Sequence, residues 1–402
     1  MKKQNASIIK IANMQLILDT IVAYGSMSNE AIVFQTRLSR PTVIKTLDIL
    51  IENAIIEKNG FLNTGGRNAQ LYELNNKKYY AISIDFEFPV VRIAITNLKQ
   101  EIQYYKSWMY GRNELQDRII ERLLKEIRLG ISSVRKDDEV FIGIAIGLPG
   151  LIDIERGVSV YIERIEGWKD IEIKQILLNE FQIPVYIEND VHLLAFVGKS
   201  MNNGEPKTGN SAYISLRYGI GMALFLNNKF YGGSKGNAGF WGHMVIDPQG
   251  DMCRCKKKGC IEAYSSSWAI VDYYLRKTNQ EATDDFTLEN VVDAFLKGDR
   301  TAIAAIKRAS HYLGLGISNI IMLLDISTVI INGLPSRCKA RMLDWINQSI
   351  QENIVNHIIE TKIIGEELDE KEKVLGGARW IIKSFLTLSK DVLEMEEQEG
   401  SC

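Results

Sequence analysis

At 402 residues, 46% hydrophobic and 24% charged, the chain is too long for one compact core and ordinary in composition for a globular protein, so two or three domains are expected. No apolar run is long enough to span a bilayer, and Met1-Lys-Lys-Gln-Asn-Ala-Ser-Ile lacks an apolar segment leading to a cleavage site; the expectation is a cytoplasmic protein with no membrane partner. The net charge of −2 hides an asymmetry: residues 1–80 hold ten Lys or Arg against six Asp or Glu, net +4, leaving 38 against 44, net −6, for the remainder. A small basic head ahead of a larger acidic body is compatible with nucleic-acid contact, although a solvated surface has the same composition.

In the head, Ile8, Ile11, Leu16, Ile17, Ile21 and Val22 follow helical spacing until Tyr24-Gly25-Ser26 stops the run. Ser28 caps a second short helix through Phe34, and Thr36-Arg37-Leu38 makes a tight turn. Ser39 caps a third helix with Pro41 in its first turn; Val43, Leu47, Leu50 and Ile51 bury one side and leave Arg40, Thr42, Lys45 and Thr46 on the surface. Two β-prone runs within residues 54–74 then flank a glycine-rich tip carrying Arg67. Helices, turn and wing in this order predict a winged helix-turn-helix over residues 1–75 that binds double-stranded operator DNA, the third helix in the major groove and Arg67 reaching a minor groove or a phosphate. Arg37, Ser39, Arg40, Thr42, Lys45 and Arg67 are the candidate DNA contacts. A small helical bundle for protein contacts is the plainer reading of the same residues.

The body reads as α/β. Strands are expected at 80–85, 90–96 and 102–108, a helix across 114–134, and a buried strand at 140–146 that ends in the loop Gly147-Leu-Pro-Gly150-Leu-Ile-Asp153. A helix through 171–181 and a strand at 185–188 complete the first lobe, 76–190, with Asn189-Asp190 at the strand's carboxyl end, where open α/β sheets place ligand groups. Asp190 reads alternatively as a solvated cap of a helix over 190–200. The second lobe, 191–375, has strands at 211–216 and 219–225, a glycine-rich segment Gly232–His243, helices near 266–277, 288–296 and 302–324, and a strand at 328–332. Gly376-Gly377-Ala378 opens a last helix, about 376–390, that returns to the first lobe, and the acidic tail from Asp391 lacks core-forming residues.

His243, Cys253, Cys255 and Cys260 fall within eighteen residues and hold three of the chain's five cysteines. One imidazole and three thiols at this spacing match a closed tetrahedral site for one structural Zn²⁺ better than a disulfide. Zinc there pins a loop and steadies His243 and Glu262.

From about 80 to 390 the order of motifs resembles the ROK family, named for repressors, open reading frames and kinases. The resemblance is carried by Asn189-Asp190 after a strand, Gly219-Ile-Gly221, Gly233 through Gly239, Gly242-His243 and the three cysteines. It implies a two-lobed actin-like, hexokinase-like ATPase fold behind the head. In ROK sugar kinases the residue matching Asp190 is the base for a sugar hydroxyl, and those matching Asn189, His243 and Glu262 hydrogen-bond the sugar; Gly150 joins the candidate sugar set. The kinase phosphate loop, Asp-x-Gly-x-Thr, stands here as Asp85-Phe-Glu87-Phe-Pro89, and Gly-Thr-Gly-Ile-Gly as Arg217-Tyr218-Gly219-Ile-Gly221. Glu87 sets a negative charge where phosphates would lie, which repels them. Phe240-Trp241 replaces a hydroxyl-binding glutamate and offers an aromatic face instead. The expectation is a sugar-responsive repressor of the ROK type, homodimeric or tetrameric, that is not an enzyme. A sugar kinase with a DNA-binding extension, or a zinc-stabilised scaffold with a dead pocket, are the alternatives.

Overall fold

The computed structural model describes residues 2–387 apart from 63–67, 112–113, 163–164, 199–200, 203–204, 207–208, 284–285 and 356–360, so Arg67 and the tail from Asp391 lie outside the described residues. The head comprises helices Lys2–Tyr24, Asn29–Thr36 and Arg40–Glu52 and a hairpin of Ile56–Leu62 with Ala69–Leu74. Met27–Ser28, which no periodicity in the sequence marks, adds a third strand beside Ala69–Leu74. The caps form as their residue types require: Ser28 accepts from the Ala31 amide, Ser39 from the Thr42 amide, and Arg37 ends the second helix at φ 56°. Thr46 departs from expectation. It is buried, because with Val43, Leu47 and Leu50 it follows the i, i+3, i+4, i+7 spacing of the inward face.

Behind the head stand two five-stranded sheets of identical topology. The first runs Val185–Asn189, Val140–Leu148, Tyr79–Glu87, Val90–Asn97, Ile102–Met109; the second runs Lys362–Glu366, Ile326–Asn332, Asn210–Leu216, Ile220–Leu226, Lys229–Tyr231. In each, three parallel strands are extended by two antiparallel ones. The carboxyl ends of Tyr79–Glu87, Val185–Asn189 and Asn210–Leu216 deliver Asp85, Glu87, Asn189, Asp190 and Arg217 to one region, as open parallel sheets do. Several elements differ from the sequence reading. Lys169–Ile171 is a strand of a small sheet with Val158–Tyr161 and Leu151–Asp153, so the expected helix begins at Ile173; the helix after Asn189 spans only Asp190–Ala195; and helix Lys339–Asn353 and strand Lys362–Glu366 are additional.

The last helix, Leu375–Leu386, joins head to body. Its Ala378, Ile381, Ile382 and Leu386 share one apolar cluster with Met14, Ile17, Leu18 and Ile21 of the head and with Ala81, Ala145 and Leu193 of the first lobe. The head therefore shares a core with the body rather than hanging from a linker. Close approach is built in at Gly377, where a Cβ would lie 2.5 Å from Ser83 Oγ and 2.8 Å from the Ala145 Cβ.

Candidate functional site

His243, Cys253, Cys255 and Cys260 offer ligand atoms that all lie within 4.8 Å of one another. Cys253 Sγ is 3.8 Å from His243 Nδ1 and Cys255 Sγ is 3.6 Å from Cys260 Sγ. A disulfide is far shorter, whereas tetrahedral zinc with Zn–S near 2.3 Å spaces its sulfurs by about 3.8 Å. Burial pushes the Cys253 thiol well above its ordinary range and Cys260 up to about 11. Buried thiols become thiolates readily only beside a cation, so the donor set fits a metal ion. The loop that presents it is tied by bridges Val245–Cys260 and Met252–Lys258.

A cavity of about 160 Å³ lies between the lobes, and Gly150, Asn189, Asp190, His243 and Glu262 all line it. All five candidate sugar residues thus meet in one place. Gly150 takes φ +80°, and a Cβ there would stand 2.2 Å from the Tyr161 carbonyl oxygen. Asn189 is the cap of helix Asp190–Ala195, accepting from the Val191 amide at 3.0 Å. Asp190 is buried rather than the solvated cap. Burial pushes its carboxyl up to about 6; Arg217 opposes this, while Asp85 and Glu87 reinforce it. Glu262 Oε2 accepts the Ile220 amide at 3.0 Å and its Oε1 lies 4.0 Å from Cys253 Sγ, so this carboxylate bridges metal loop and cavity. Phe240 lines the cavity, stacked on His243 at 6.5 Å, while Trp241 is buried in the core of the second lobe.

Glu87 is not a bare charge. Arg92 lies 2.6 Å from Glu87 and 2.8 Å from Asp85; Arg217 lies 3.1 Å from Asp85, 3.6 Å from Glu87 and 3.5 Å from Asp190. Burial alone would raise the Glu87 carboxyl, yet Arg217 and Arg92 hold it below its ordinary range. Arg92 also holds Glu370 at 2.8 Å, so Glu87 stands not as an unpaired charge but in a buried ionic cluster that crosses between lobes. Phe88 and Tyr218 meet edge-on at 5.3 Å beside it, and Arg254 of the metal loop lies over Tyr218 at 4.8 Å. Sequence reasoning treated Arg217 only as a departure and passed over His192, which also lines the cavity; neither has a local spacing signal.

On the head, Arg37, Ser39, Arg40 and Lys45 are exposed and Thr42 is half-buried. Arg40 pairs with Glu30 at 3.1 Å, both well exposed, and the Ser39 and Thr42 hydroxyls lie 2.8 Å apart at the start of the third helix. Their hydroxyls are committed to that helix start, which leaves Arg37 and Lys45 as exposed candidate cations that make no ion pair among the described residues.

The family model described as the ROK family matches residues 81–384. The xylose repressor of Caldicellulosiruptor bescii is 26% identical over 394 residues, covering 95% of this chain and 98% of that protein. The DNA-binding transcriptional dual regulator NagC of Escherichia coli K12 is 25% identical over 388 residues, 94% of each chain. Among solved structures, a ROK family transcriptional regulator homologous to the E. coli MLC protein has a TM-score of 0.76 at 24% identity, covering 95% of this chain and 97% of that one. A ROK hexokinase from Thermus thermophilus has a TM-score of 0.61 at 22% identity, covering 79% of this chain and 99% of its own. With the ROK family model matched over three quarters of its length, residues 81–384, the chain belongs to the ROK family.

Proposed function

We propose that this protein is a sugar-responsive transcriptional repressor: residues 1–75 bind operator DNA, and a sugar or sugar derivative is sensed between the lobes 76–190 (with 376–390) and 191–375. The observation that carries the reading is the joint one, a cleft lined by Asp190, Asn189, Glu262 and His243 on a body whose last helix shares its core with a helical, winged head. A sugar presents alternating donors and acceptors; Asp190 and Glu262 accept from hydroxyls, Asn189 does both, and the His243 ring and Phe240 face supply an edge and a wall. The relatives named xylose repressor and, in Escherichia coli O6:H1, N-acetylglucosamine repressor support a sugar as effector, and NagC, named a DNA-binding transcriptional dual regulator, supports DNA as partner.

His243, Cys253, Cys255 and Cys260 would hold one zinc ion, whose closed ligand set makes it structural: bound, it supplies rigidity, not a reactive position. The chain's own residues do the rest, Glu262 linking that loop to the Ile220 amide at the cavity wall. Phosphoryl transfer is absent from this reading. Where kinases cradle phosphates with small residues, Arg92 and Arg217 with Asp85 and Glu87 fill the space. A cytoplasmic homodimer is the form in which two third helices would read two half-sites, and lobe closure would alter their spacing. Among the described residues no helix is long and apolar enough to cross a membrane.

The test is a gel-shift titration of the purified protein on DNA from upstream of its own gene, against a panel of pentoses, hexoses, N-acetylhexosamines and their phosphates. One member should change the apparent affinity at least tenfold; no response from any member, with DNA still bound, would remove the sensing claim. Sugar-dependent ADP release from ATP would favour the kinase reading instead.

A further inference from the structure

His192 is 1% exposed, on the helix that starts at Asp190, and both its ring nitrogens are engaged. Nε2 is 2.7 Å from the carbonyl oxygen of Ala238, and Nδ1 is 2.9 Å from Glu188 Oε1. A carbonyl oxygen only accepts, so Nε2 carries a hydrogen. Glu188 Oε1 accepts the Asn189 amide at 2.8 Å, and against a carboxylate oxygen Nδ1 makes its 2.9 Å hydrogen bond only by carrying a hydrogen as well. We propose that His192 is held with both ring nitrogens protonated and is the positioning residue that fastens the glycine loop to the strand end bearing Asn189 and Asp190.

The loop's own geometry makes Ala238 the point that matters. Its amide closes the loop on the Gly232 carbonyl at 3.0 Å, while its carbonyl is the atom that His192 holds. Next to it Gly239, at φ +101°, accepts the Met222 amide on its carbonyl oxygen at 3.1 Å, and a Cβ there would lie 1.9 Å from the Met222 oxygen. Gly236, Asn237 and Phe240 on either side of this knot line the cavity, so a clamp at Ala238 fixes that wall. The groups facing His192 are Glu188 from the strand, Ala238 and Gly239 from the loop, and the Phe230 ring edge-on at 4.9 Å; Asp190 of its own helix, and Arg217, His243 and Glu262 across the same cavity, are the other charged or titratable neighbours. The positive ring is offset by Glu188 in direct contact, which is why it tolerates burial.

The inference rests on the effector-cleft reading for its consequence but is tested without sugar or DNA, so either can fail alone. Two-bond ¹H–¹⁵N spectra of the intact protein near pH 7, with four histidines in the chain and His192→Asn to assign the signal, should show both His192 nitrogens in the protonated range. A lone-pair nitrogen on that ring would overturn the proposal. Amide exchange by mass spectrometry should show peptides over Gly232–Gly239 exchanging at least tenfold faster in His192→Leu, with strand Ile326–Asn332 unchanged; unchanged loop protection would overturn the clamp. If His192→Leu does not fold, the spectrum of the unaltered protein decides.

Discussion

Asp190 carries the most direct prediction. Its carboxyl, ordinarily near 3.8, titrates at about 6 in the folded chain because burial penalises its charge. The folded state therefore binds a proton that the unfolded chain has released between these values. The stabilisation is present at low pH and lost as pH rises through about 6, an effect on the order of 3 kcal/mol for two units. Asp190→Asn removes this loss, so chemical denaturation from pH 4 to 7 should show the variant gaining on the parent as pH rises. Sugar binding should move the other way: the ionised carboxylate accepts from two hydroxyls and the acid does not, so calorimetric affinity falls as pH drops below about 6, and Asp190→Asn weakens binding at least tenfold at pH 7.5. A variant that binds sugar as well as the parent would assign Asp190 to the ionic cluster alone. At the other wall, Cys255→Ser takes away one of the four proposed ligands; metal content by mass spectrometry should fall from one equivalent to well under half, with the sugar response lost before DNA binding, since Glu262 links the metal loop to the cavity wall.

Between site and head the connecting elements are two helices in close contact. Helix Asp190–Ala195 begins at the cavity, and its Leu193 packs against Gly376 and Gly377 of the last helix, which carries the head's core on its other residues. Gly377→Val would drive a side chain into Ser83 and Ala145, a strain of about 1–3 kcal/mol by overpacking. Sugar affinity measured by calorimetry should survive while the sugar's effect on the gel shift shrinks; an undiminished effect would place the coupling elsewhere. Ser39→Ala removes the cap of the third helix, and thermal unfolding of the head should weaken by about 1 kcal/mol with a matching loss of DNA affinity. Much of this was legible in the chain: the alternation in 80–85, the cap signals at Ser28 and Ser39, and the cysteine spacing all act within a few residues. The small sheet of Leu151–Asp153, Val158–Tyr161 and Lys169–Ile171 was not, since strands of three or four residues show no period, and Ile171 suits helix or strand equally. Nor were the contacts of Arg217 with Asp85, 132 residues away, or of His192 with Ala238, 46 away, which only the fold brings together.

At the scale of the whole molecule the two sheets meet through charge. Arg217, from the second lobe, is buried against Asp85 and Glu87 of the first and Asp190 at their junction, with Arg92 completing the balance. A buried ion pair adds little over an apolar substitute, but removing one partner strands the others, typically at about 3–5 kcal/mol. Arg217→Ala leaves Asp85 and Glu87 to an Arg92 that Glu370 already shares, and Asp190 without its arginine, so their repulsion acts directly across the cleft. The lobes should then separate: small-angle scattering should give a larger radius of gyration than the parent, and calorimetric unfolding should split into two transitions. Because the cleft's geometry depends on that closure, the sugar response should be lost while the head, whose core lies on the last helix, keeps its DNA affinity. An Arg217→Ala protein as compact as the parent, unfolding in one transition, would mean that the apolar contacts around Phe88 and Tyr218 suffice to hold the lobes. Calorimetry with ATP tests the proposed loss of nucleotide binding: on that reading neither parent nor variant takes up nucleotide, because Arg217→Ala empties the space without restoring the glycines and threonine that a phosphate cradle needs, and uptake by either would overturn it.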